Sequence, residues 1–348
     1  MIEAHWGESS PLSLGVEEEL MILDAETLAQ VPRVEVLAEP PRLKTELHAA
    51  VVELNTDICA TPEEAIAEVQ RLRARAAEKA EAHGLRVVAG GAHPLTVPEE
   101  LEIVEEPRYV EFVEYAGPSA RRQGVCGLHV HVGMPGGDDC IHTLETVLPW
   151  LPVVLALSAN SPFLAGRETG FLSSRAPILA ELPRSGAPPV FDSYAAWEEH
   201  VERLMRLNLP GDYTALWWDA RPHPRYGTLE LRMPDQPTAV ERTGAFVALL
   251  RGLCAWALEQ PRVATDPTAR GIYQQNRWAA ARFGPRAELI SPDAGRRVRA
   301  SELARELFEL TGTDGGLDPD GCEADRLLEV GVEGAAADLA DRSVASQP

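Results

Sequence analysis

The sequence is short of positive charge, and this shortage limits the partners that the protein can have. Its 348 residues include 32 lysines and arginines against 54 aspartates and glutamates, which gives a formal net charge of −22. Proteins that bind nucleic acids or anionic membrane surfaces present a basic face, so a charge of this sign argues against both. We therefore expect small-molecule substrates as partners, with no nucleic acid and no membrane.

Cysteine pairs and long apolar runs are also missing. The five cysteines form no C-x-x-C pair, which excludes a disulfide framework and a zinc ribbon. The longest apolar stretch, residues 144–159, is interrupted by Glu145, Pro149 and Pro152 and is shorter than a bilayer requires, so it predicts a buried core helix with a proline kink. Residues 1–11 lack the apolar segment of a signal peptide. Together these features predict a cytoplasmic protein.

Three common motifs of catalysis and phosphate binding are absent as well. The sequence contains no G-x-S-x-G nucleophile turn, no G-x-x-x-x-G-K-[ST] loop and no G-x-G-x-x-G fingerprint. If a nucleotide binds, its phosphates must therefore be held by metal ions and arginines rather than by a glycine-rich loop.

What the sequence does contain is the periodicity of an α+β protein. Strand-like alternation occurs at residues 12–23, 50–55, 85–89, 125–133 and 225–233, and helical periodicity at 61–84, 194–207, 240–258, 276–283 and 301–312. Strands and helices do not alternate regularly, which favours a mainly antiparallel sheet over a doubly wound fold. We expect a single catalytic domain over residues 1–312 and a loosely attached C-terminal tail over 313–348.

Four of the predicted strands carry polar side chains two residues apart on one face. The pairs are Glu17 and Glu19, Glu53 and Asn55, His129 and His131, and Glu230 and Arg232. Unpaired carboxylates are costly to bury, so this face is either solvated or a charged site on the concave side of the sheet. Carboxylates with an imidazole and an arginine are typical of sites for Mg²⁺ or Mn²⁺, which bridge the phosphates of ATP.

Several runs of sequence resemble those of one known family. They are residues 15–20 (GVEEEL), 52–56 (VELNT), 126–133 (CGLHVHVG), 157–163 (LSANSPF), 166–171 (GRETGF), 216–232 (LWWDARPHPRYGTLELR) and 276–282 (NRWAAAR). From about residue 12 to 285 the chain resembles the type 2 glutamate-cysteine ligases, a family of carboxylate-amine ligases.

The resemblance implies a fold and a reaction. The fold is glutamine-synthetase-like, with a curved, mainly antiparallel sheet around an ATP and metal site and helices on its outer face. In the reaction, ATP phosphorylates the γ-carboxylate of glutamate, and the cysteine amine then attacks the acyl phosphate. ADP and phosphate are released.

The resemblance also implies roles for individual residues. Six side chains would be ligands of Mg²⁺ or Mn²⁺: Glu17, Glu19, Glu46, Glu53, His129 and Glu230. Arg232 would face the transferring phosphoryl group and would be catalytic together with Glu53 and Glu230. Four further side chains would contact substrate or ATP: Gln123, Arg167, Arg277 and Arg282.

Two other functions stay open from the sequence. His129 and His131 form an H-x-H pair of the kind found in zinc amidohydrolases, which would also need later histidines. Those available, His142, His200 and His223, fall in predicted helices or loops, and His223 is expected to be exposed. The second alternative is a relative that binds ATP or an amino acid without turnover. We expect a homodimer, because dimers are common among soluble enzymes.

Overall fold

The computed structural model describes residues 2–209, 211–262, 264 and 266–343. The strands are β1 (Leu14–Asp24), β2 (Leu43–Thr45), β3 (Val51–Asn55), β4 (Leu85–Val88), β5 (Leu128–Gly133), β6 (Phe163–Leu164), β7 (Arg167–Glu168), β8 (Ser185–Gly186), β9 (Trp217–Trp218), β10 (Ala220–His223), β11 (Thr228–Leu231), β12 (Glu288–Ile290) and β13 (Arg297–Arg299). The helices are α1 (Val34–Leu37), α2 (Pro62–Glu81), α3 (Pro107–Ala116), α4 (Pro118–Arg121), α5 (Gly137–Val147), α6 (Leu151–Ser158), α7 (Arg175–Leu179), α8 (Tyr194–Arg206), α9 (Val240–Glu259), α10 (Ala269–Phe283), α11 (Ala300–Thr311) and α12 (Glu323–Ser343).

A seven-stranded antiparallel sheet forms the centre of the fold. Its strand order is β10-β11-β5-β1-β3-β2, and β4 pairs with the C-terminal part of β1. The long strand β1 therefore has three partners, β3, β4 and β5, and each part of it is paired. The α+β class with a mainly antiparallel sheet, predicted from the sequence, is confirmed.

One face of the sheet is covered by helices. Apolar residues of β1, β5 and β11 pack there against α5, α6 and α9, and those of β1 and β3 pack against α2. Helix α2 begins where the sequence predicts, because Thr61 Oγ1 accepts a hydrogen bond from Glu64 N (3.2 Å) and Pro62 occupies the first helical position. Its buried stripe includes Val69 and Leu72. This packing leaves the opposite face of the sheet for other uses.

The apolar segment at residues 137–158 is part of the core. By length and composition it could cross a membrane, yet 78% of its most apolar window is buried inside the protein. It consists of α5, a 3₁₀ turn at Leu148–Trp150 that contains Pro149, and α6. The predicted buried helix with a kink at proline is therefore present.

The C-terminal segment is packed rather than loosely attached, contrary to the expectation for residues 313–348. Leu327 and Leu339 of α12 are buried against Met21 and Leu23 of β1. Ser343 Oγ accepts a hydrogen bond from Ala89 N at 2.8 Å, which joins the end of α12 to the end of β4. The physical reason lies in β1, because these apolar side chains share a face with its glutamates and require an apolar cover. Residues 344–348 lie outside the described part of the chain.

Candidate active site

The face of the sheet opposite the covering helices gathers the polar side chains that the sequence singles out. Pairing of neighbouring strands places them opposite one another as Glu17–Asn55, Glu19–Glu53, Glu17–His129 and His131–Glu230. Side chains of a strand alternate between faces, so this register sets all of them on one side. The site therefore spans β3, β1, β5 and β11.

A first cluster of potential metal ligands, here called the first triad, consists of Glu17, His131 and Glu230. One ligand atom from each residue lies within 4.8 Å of the others. The Nδ1 atom of His131 is 2.9 Å from Thr228 Oγ1, which directs its Nε2 atom towards Glu17 Oε1 at 3.5 Å. That Nε2 atom is buried and has no hydrogen-bond partner among the described residues. A ring fixed through one nitrogen, with the other nitrogen unpaired, is suited to ligate a cation.

The histidine in this triad is His131, whereas the resemblance implied His129. His129 Nδ1 is 3.4 Å from Glu17 Oε2 and 3.4 Å from Arg232 Nη1, and its Nε2 is 4.0 Å from Glu19 Oε1. His129 thus lies between the two groups of carboxylates. Burial and the charge of Arg232 lower its pKa, which favours the neutral ring. The geometry favours His131 as the ligand in the first triad.

A second cluster, here called the second triad, consists of Glu19, Glu46 and Glu53, whose ligand atoms also lie within 4.8 Å of one another. Glu46 follows β2 directly, and one of its oxygens accepts a hydrogen bond from Leu47 N at 2.9 Å. The structure therefore brings Glu46 to the other two carboxylates, as the resemblance implied.

The second triad lacks enough positive charge to keep three carboxylates ionised. Burial, followed by the charge of Glu19, raises the pKa of Glu46 to about 7. Burial, with Glu17 and Glu46 as the next causes, raises the pKa of Glu53 well above its ordinary value. Lys44 Nζ is 3.6 Å from Glu53 Oε1 and relieves only part of this repulsion. A divalent cation would supply the missing charge.

Two arginines hold Glu230, and sequence reasoning identified only one of them. Arg221 on β10 lies opposite Glu230 and donates to both carboxylate oxygens, from Nε at 2.7 Å and from Nη2 at 3.1 Å. Arg232 donates to the same carboxylate from Nη1. Burial alone would raise the pKa of Glu230, but the two guanidinium groups hold it well below its ordinary value. One feature of the sequence could have identified Arg221. It lies in the run at residues 216–232, where it alternates with Ala220 and Pro222.

Arg277 and Gln123, which were expected to contact substrate or ATP, have protein partners instead. Arg277 is 5% exposed and forms a two-pronged ion pair with Asp219, at 2.8 and 3.2 Å. The carbonyl oxygen of Asp219 accepts a hydrogen bond from Arg232 N, so Arg277 supports the backbone at Arg232, the residue that follows β11. Gln123 Nε2 donates to the carbonyl oxygens of Ser119 and Ile178. The geometry supports a structural role for both side chains.

Arg167 and Arg282 lie in segments that contact each other. Leu172 N, just after the β6–β7 hairpin, donates to the carbonyl of Ala281 at 2.9 Å. The Arg282 guanidinium lies over the Phe171 ring at 5.6 Å, while Arg167 is exposed on β7. Within the described part of the chain, no hydrogen bond or ion pair joins either arginine to a triad. Their predicted substrate contacts therefore stay predictions.

The later histidines do not complete a zinc site. Among the described residues, no triad includes His142, His200 or His223. His142 Nε2 is 3.1 Å from the carbonyl oxygen of Gln260, outside the site. His223 was expected to be exposed in a loop, but it lies on β10 and is 6% exposed. The prediction of an exposed His223 is wrong because the proline on each side of it did not prevent the segment from pairing with β11.

A cavity of about 540 Å³ opens beside the first triad. Glu17, His131 and Thr228 form the part of its lining nearest the triad. Its remaining walls include basic, acidic and apolar residues, which are Arg42, Lys44, Arg225, Glu8, Asp57, Ile58 and Tyr226. A cavity of this size lies in the range of small-molecule sites. Its lining combines charged residues of both signs with exposed apolar ones.

Solved structures with a similar fold are ligases. The chain is similar to the glutamate–cysteine ligase of Francisella tularensis in complex with AMP, with a TM-score of 0.75 and 13% identity, over 97% of this chain and 89% of that one. It is also similar to a bifunctional glutathione synthetase of Pasteurella multocida, with a TM-score of 0.70 and 14% identity, over 96% of this chain and 52% of that one. The predicted glutamine-synthetase-like fold is confirmed. At these identities the likeness concerns the fold alone.

Sequence comparison identifies the family. A model of glutamate-cysteine ligase family 2 matches residues 13–329. A Rubrobacter xylanophilus protein provisionally named glutamate–cysteine ligase 2-3 is 42% identical over 313 residues, which are 88% of this chain and 85% of that protein. A Herpetosiphon aurantiacus protein, provisionally named glutamate–cysteine ligase 2, is 37% identical over 86% of this chain and 80% of that protein. The chain belongs to glutamate-cysteine ligase family 2, as its sequence motifs predict.

Family membership bears on the functions that the sequence left open. It supports an ATP-dependent carboxylate-amine ligase and favours neither the zinc hydrolase nor the non-catalytic relative. The identity of the two substrates is a finer question than the family alone answers.

Proposed function

We propose that this protein joins the γ-carboxylate of glutamate to the amine of cysteine through an acyl phosphate, with ATP as co-substrate. The observation that carries the proposal is the pair of triads beside Arg232 on one face of an antiparallel sheet. The family and the provisional names of the relatives support this substrate pair. The homodimer and the cytoplasmic location stay predictions.

The donor atoms of the two triads fit Mg²⁺ or Mn²⁺. Five of the six side chains are carboxylates and the sixth is an imidazole, a set of hard ligands that these ions prefer. The unpaired Nε2 of His131 and the raised pKa values of Glu46 and Glu53 both indicate a missing positive charge. Held by the side chains of the two triads, such ions would neutralise the negative charge that develops during phosphoryl transfer.

Arg232 is suited to stabilise the phosphoryl group in the first step. An oxygen of the glutamate γ-carboxylate attacks the γ-phosphorus of ATP, the bond to the bridging oxygen breaks, and ADP leaves. The Arg232 side chain is 17% exposed and lies beside both His129 and Glu230, so its guanidinium borders the site. Burial opposes its charge, but Glu230 raises its pKa above the ordinary value, so Arg232 remains a cation.

Arg221 allows Arg232 to interact with the phosphoryl group. Because Arg221 donates to both oxygens of Glu230, that carboxylate keeps a buried counter-charge when the Arg232 guanidinium turns towards a phosphoryl oxygen. Glu230 and Glu53 belong to the catalytic group as one member of each triad. Arg221 is a positioning residue in this scheme.

In the second step the cysteine amine forms the new bond. Its nitrogen attacks the carbonyl carbon of the acyl phosphate, the carbon–oxygen bond to phosphate breaks, and an amide results. The nitrogen loses a proton, which the released phosphate can carry. The buried sheet face limits the access of water, and water would otherwise hydrolyse the acyl phosphate.

In this scheme ATP binds in the cavity beside the first triad. The cavity extends from Glu17 and His131 to the basic residues Arg42, Lys44 and Arg225. Its volume of about 540 Å³ is ample for a nucleotide and larger than an amino acid needs. The amino acids would then approach from the side of the second triad.

Release of ADP tests the proposed function. Purified protein is mixed with Mg²⁺, ATP, glutamate and cysteine, and ADP is measured together with the mass of the product. We expect ADP and γ-glutamylcysteine in equal amounts, and no product when either amino acid is omitted. Other pairs of amino acids are then screened in the same way. Absence of ADP with every pair would contradict a ligase, and tightly bound zinc in place of exchangeable magnesium would favour the hydrolase.

A further inference from the structure

Two apolar side chains on the walls of the cavity are unusually exposed. Ile58, which follows β3, is 73% exposed, and Tyr226, in the turn between β10 and β11, is 49% exposed. Both line the cavity whose inner end is formed by Glu17 and His131 of the first triad. Large apolar side chains left in water at the walls of a cavity mark a place where a ligand covers them.

The ring of Tyr226 is held in place before any ligand arrives. It stacks on the His223 ring with a centroid distance of 4.2 Å and an interplanar angle of 8°. His223 is itself braced edge-on by Tyr213, at 5.3 Å and 79°, and lies edge-on to His131, at 5.3 Å and 76°. Packing on three sides explains why a histidine between two prolines is buried, and it fixes the plane that Tyr226 presents.

We propose that Tyr226 and Ile58 form a clamp for the purine base of the nucleotide. The base stacks on the face of Tyr226 that His223 does not cover and also contacts Ile58, and the triphosphate extends towards the first triad. His223 is a positioning residue that sets the angle of the platform. This inference rests on the proposed function, because it takes ATP as the occupant of the cavity.

The chemistry of the cavity favours a base over an amino-acid side chain. Aromatic bases bind between an aromatic ring and an aliphatic side chain because each surface removes an apolar face of the base from water. Of the basic residues that line the same cavity, Arg42 is ion-paired with Asp57 and Lys44 Nζ is 3.6 Å from Glu53 Oε1. Arg225 has no ion-pair partner among the described residues and suits the negative charge of a triphosphate. Glutamate or cysteine would leave most of the 540 Å³ unfilled.

Binding measurements on Tyr226→Ala test the clamp. Isothermal titration calorimetry compares Mg-ATP with magnesium tripolyphosphate, which has the phosphates but no base. Since stacking on an aromatic side chain contributes about 1–3 kcal/mol per base, we expect ATP binding to weaken about 5- to 150-fold. Tripolyphosphate binding should stay within about twofold. In the ligase assay KM for ATP should rise, while KM for glutamate and kcat at saturating ATP stay close to those of the parent.

Four further variants complete the test. Tyr226→Phe keeps the ring and should bind ATP as the parent does. Tyr115→Ala removes an aromatic side chain that is 56% exposed on α3, and it serves as the matched control with unchanged ATP binding. His223→Ala should weaken ATP binding, whereas His223→Phe, which preserves a stacked ring, should restore it.

The outcomes separate the clamp from the proposed function. Equal weakening of ATP and tripolyphosphate by Tyr226→Ala would overturn the clamp, since the ring would then act through His131. Unchanged ATP binding by Tyr226→Ala would also overturn the clamp, but it would not contradict the proposed ligase function. Base-dependent binding without product for any amino-acid pair would support the clamp and contradict the ligase. If Tyr226→Ala does not fold, Ile58→Ser changes an exposed side chain and must weaken ATP, but not tripolyphosphate, at least about threefold.

Discussion

Three consecutive glutamates of β1 show two different uses of a buried charge. Glu18 points to the helix-covered face and is 1% exposed. Its carboxylate accepts two hydrogen bonds from Arg73, both at 2.7 Å, and further ones from Gln236 Nε2 and Thr243 Oγ1 at 2.8 and 2.6 Å. Three of these hydrogen bonds go to Oε1 and one to Oε2, so both carboxylate oxygens have donors, and the charge is balanced by a guanidinium.

Glu17 and Glu19, on the other face, have much poorer partners. The nearest cationic candidates for Glu17 are His129 and His131, at 3.4 and 3.5 Å. Glu19 accepts one short hydrogen bond from Gly127 N, at 2.6 Å, and otherwise faces Glu46 and Glu53. The difference teaches that burial alone does not identify a site. Glu18, whose carboxylate is paired with a guanidinium on the helix-covered face, is part of the scaffold, whereas the buried carboxylates of the second triad lack such partners and require a cation.

The largest expected effect is on stability, at Glu18. Changing Arg73→Met leaves the Glu18 carboxylate buried without a counter-charge, and removal of one partner of a buried ion pair costs about 3–5 kcal/mol. Urea unfolding followed by circular dichroism should show this loss in the free energy of unfolding. The double change Glu18→Leu with Arg73→Met should recover most of it, because no charge remains buried. A loss below about 1 kcal/mol for Arg73→Met would show that the two faces do not differ as described.

The next effect is on activity, at Glu19. Glu19→Gln keeps the shape of the side chain but removes one charge from the second triad, so we expect kcat of the ligase reaction to fall about a hundredfold or more. The melting temperature should stay the same or rise, because repulsion among three carboxylates is relieved. Activity and melting temperature are measured on the same preparation. Retention of activity within tenfold would remove Glu19 from the site.

The sequence predicts which residues lie on the site face better than it predicts which of them contact each other. Alternation along β1, β3 and β11 is a local property, and it correctly places Glu17, Glu19, Glu53 and Glu230 on one face. The choice between His129 and His131 is not local, since both lie on that face. It depends on the register of β5 with β11, which sets His131 opposite Glu230.

The expectation of a loose tail over residues 313–348 is contradicted because long-range packing holds this segment. The C-terminal residues looked like a loose tail because they are rich in alanine, glycine and aspartate. Their alanines are what allow α12 to lie close to the sheet beside the site, where Ala335 and Ala340 are buried.

Magnesium should stabilise the site face measurably. A ligand that binds only the folded state stabilises it by RT ln(1 + [L]/Kd), which is about 2.7 kcal/mol when the ligand is at 100 times its Kd. We expect Mg²⁺ or Mn²⁺ to raise the melting temperature of the parent protein and EDTA to reverse the change. Glu53→Gln should reduce this response, while Glu63→Gln, an exposed carboxylate at the start of α2, should not. If the metal ion raised the melting temperature equally in both variants, Glu53 would not be one of its ligands.

The smallest effect concerns His93, an ionisable residue buried outside both triads. Its Nδ1 accepts a hydrogen bond from Thr96 N at 3.1 Å and its Nε2 donates to the carbonyl of Leu28 at 3.0 Å, so the folded protein holds the neutral ring. Burial lowers its pKa below the ordinary value of 6.5.

The sign of the pH dependence follows from this shift. Above pH 6.5 the ring is neutral in both states and contributes no difference, but below it the unfolded chain binds a proton that the folded chain does not. Stability should therefore fall as the pH decreases from 6.5, by at most about 1.4 kcal/mol per pH unit from this one residue. His93→Gln keeps one amide donor, and it should lower the free energy of unfolding at pH 8 but flatten its decline between pH 6.5 and 5. An unchanged slope in that variant would show that His93 is protonated equally in both states, and that the acid sensitivity belongs to the carboxylates of β1 and their partners.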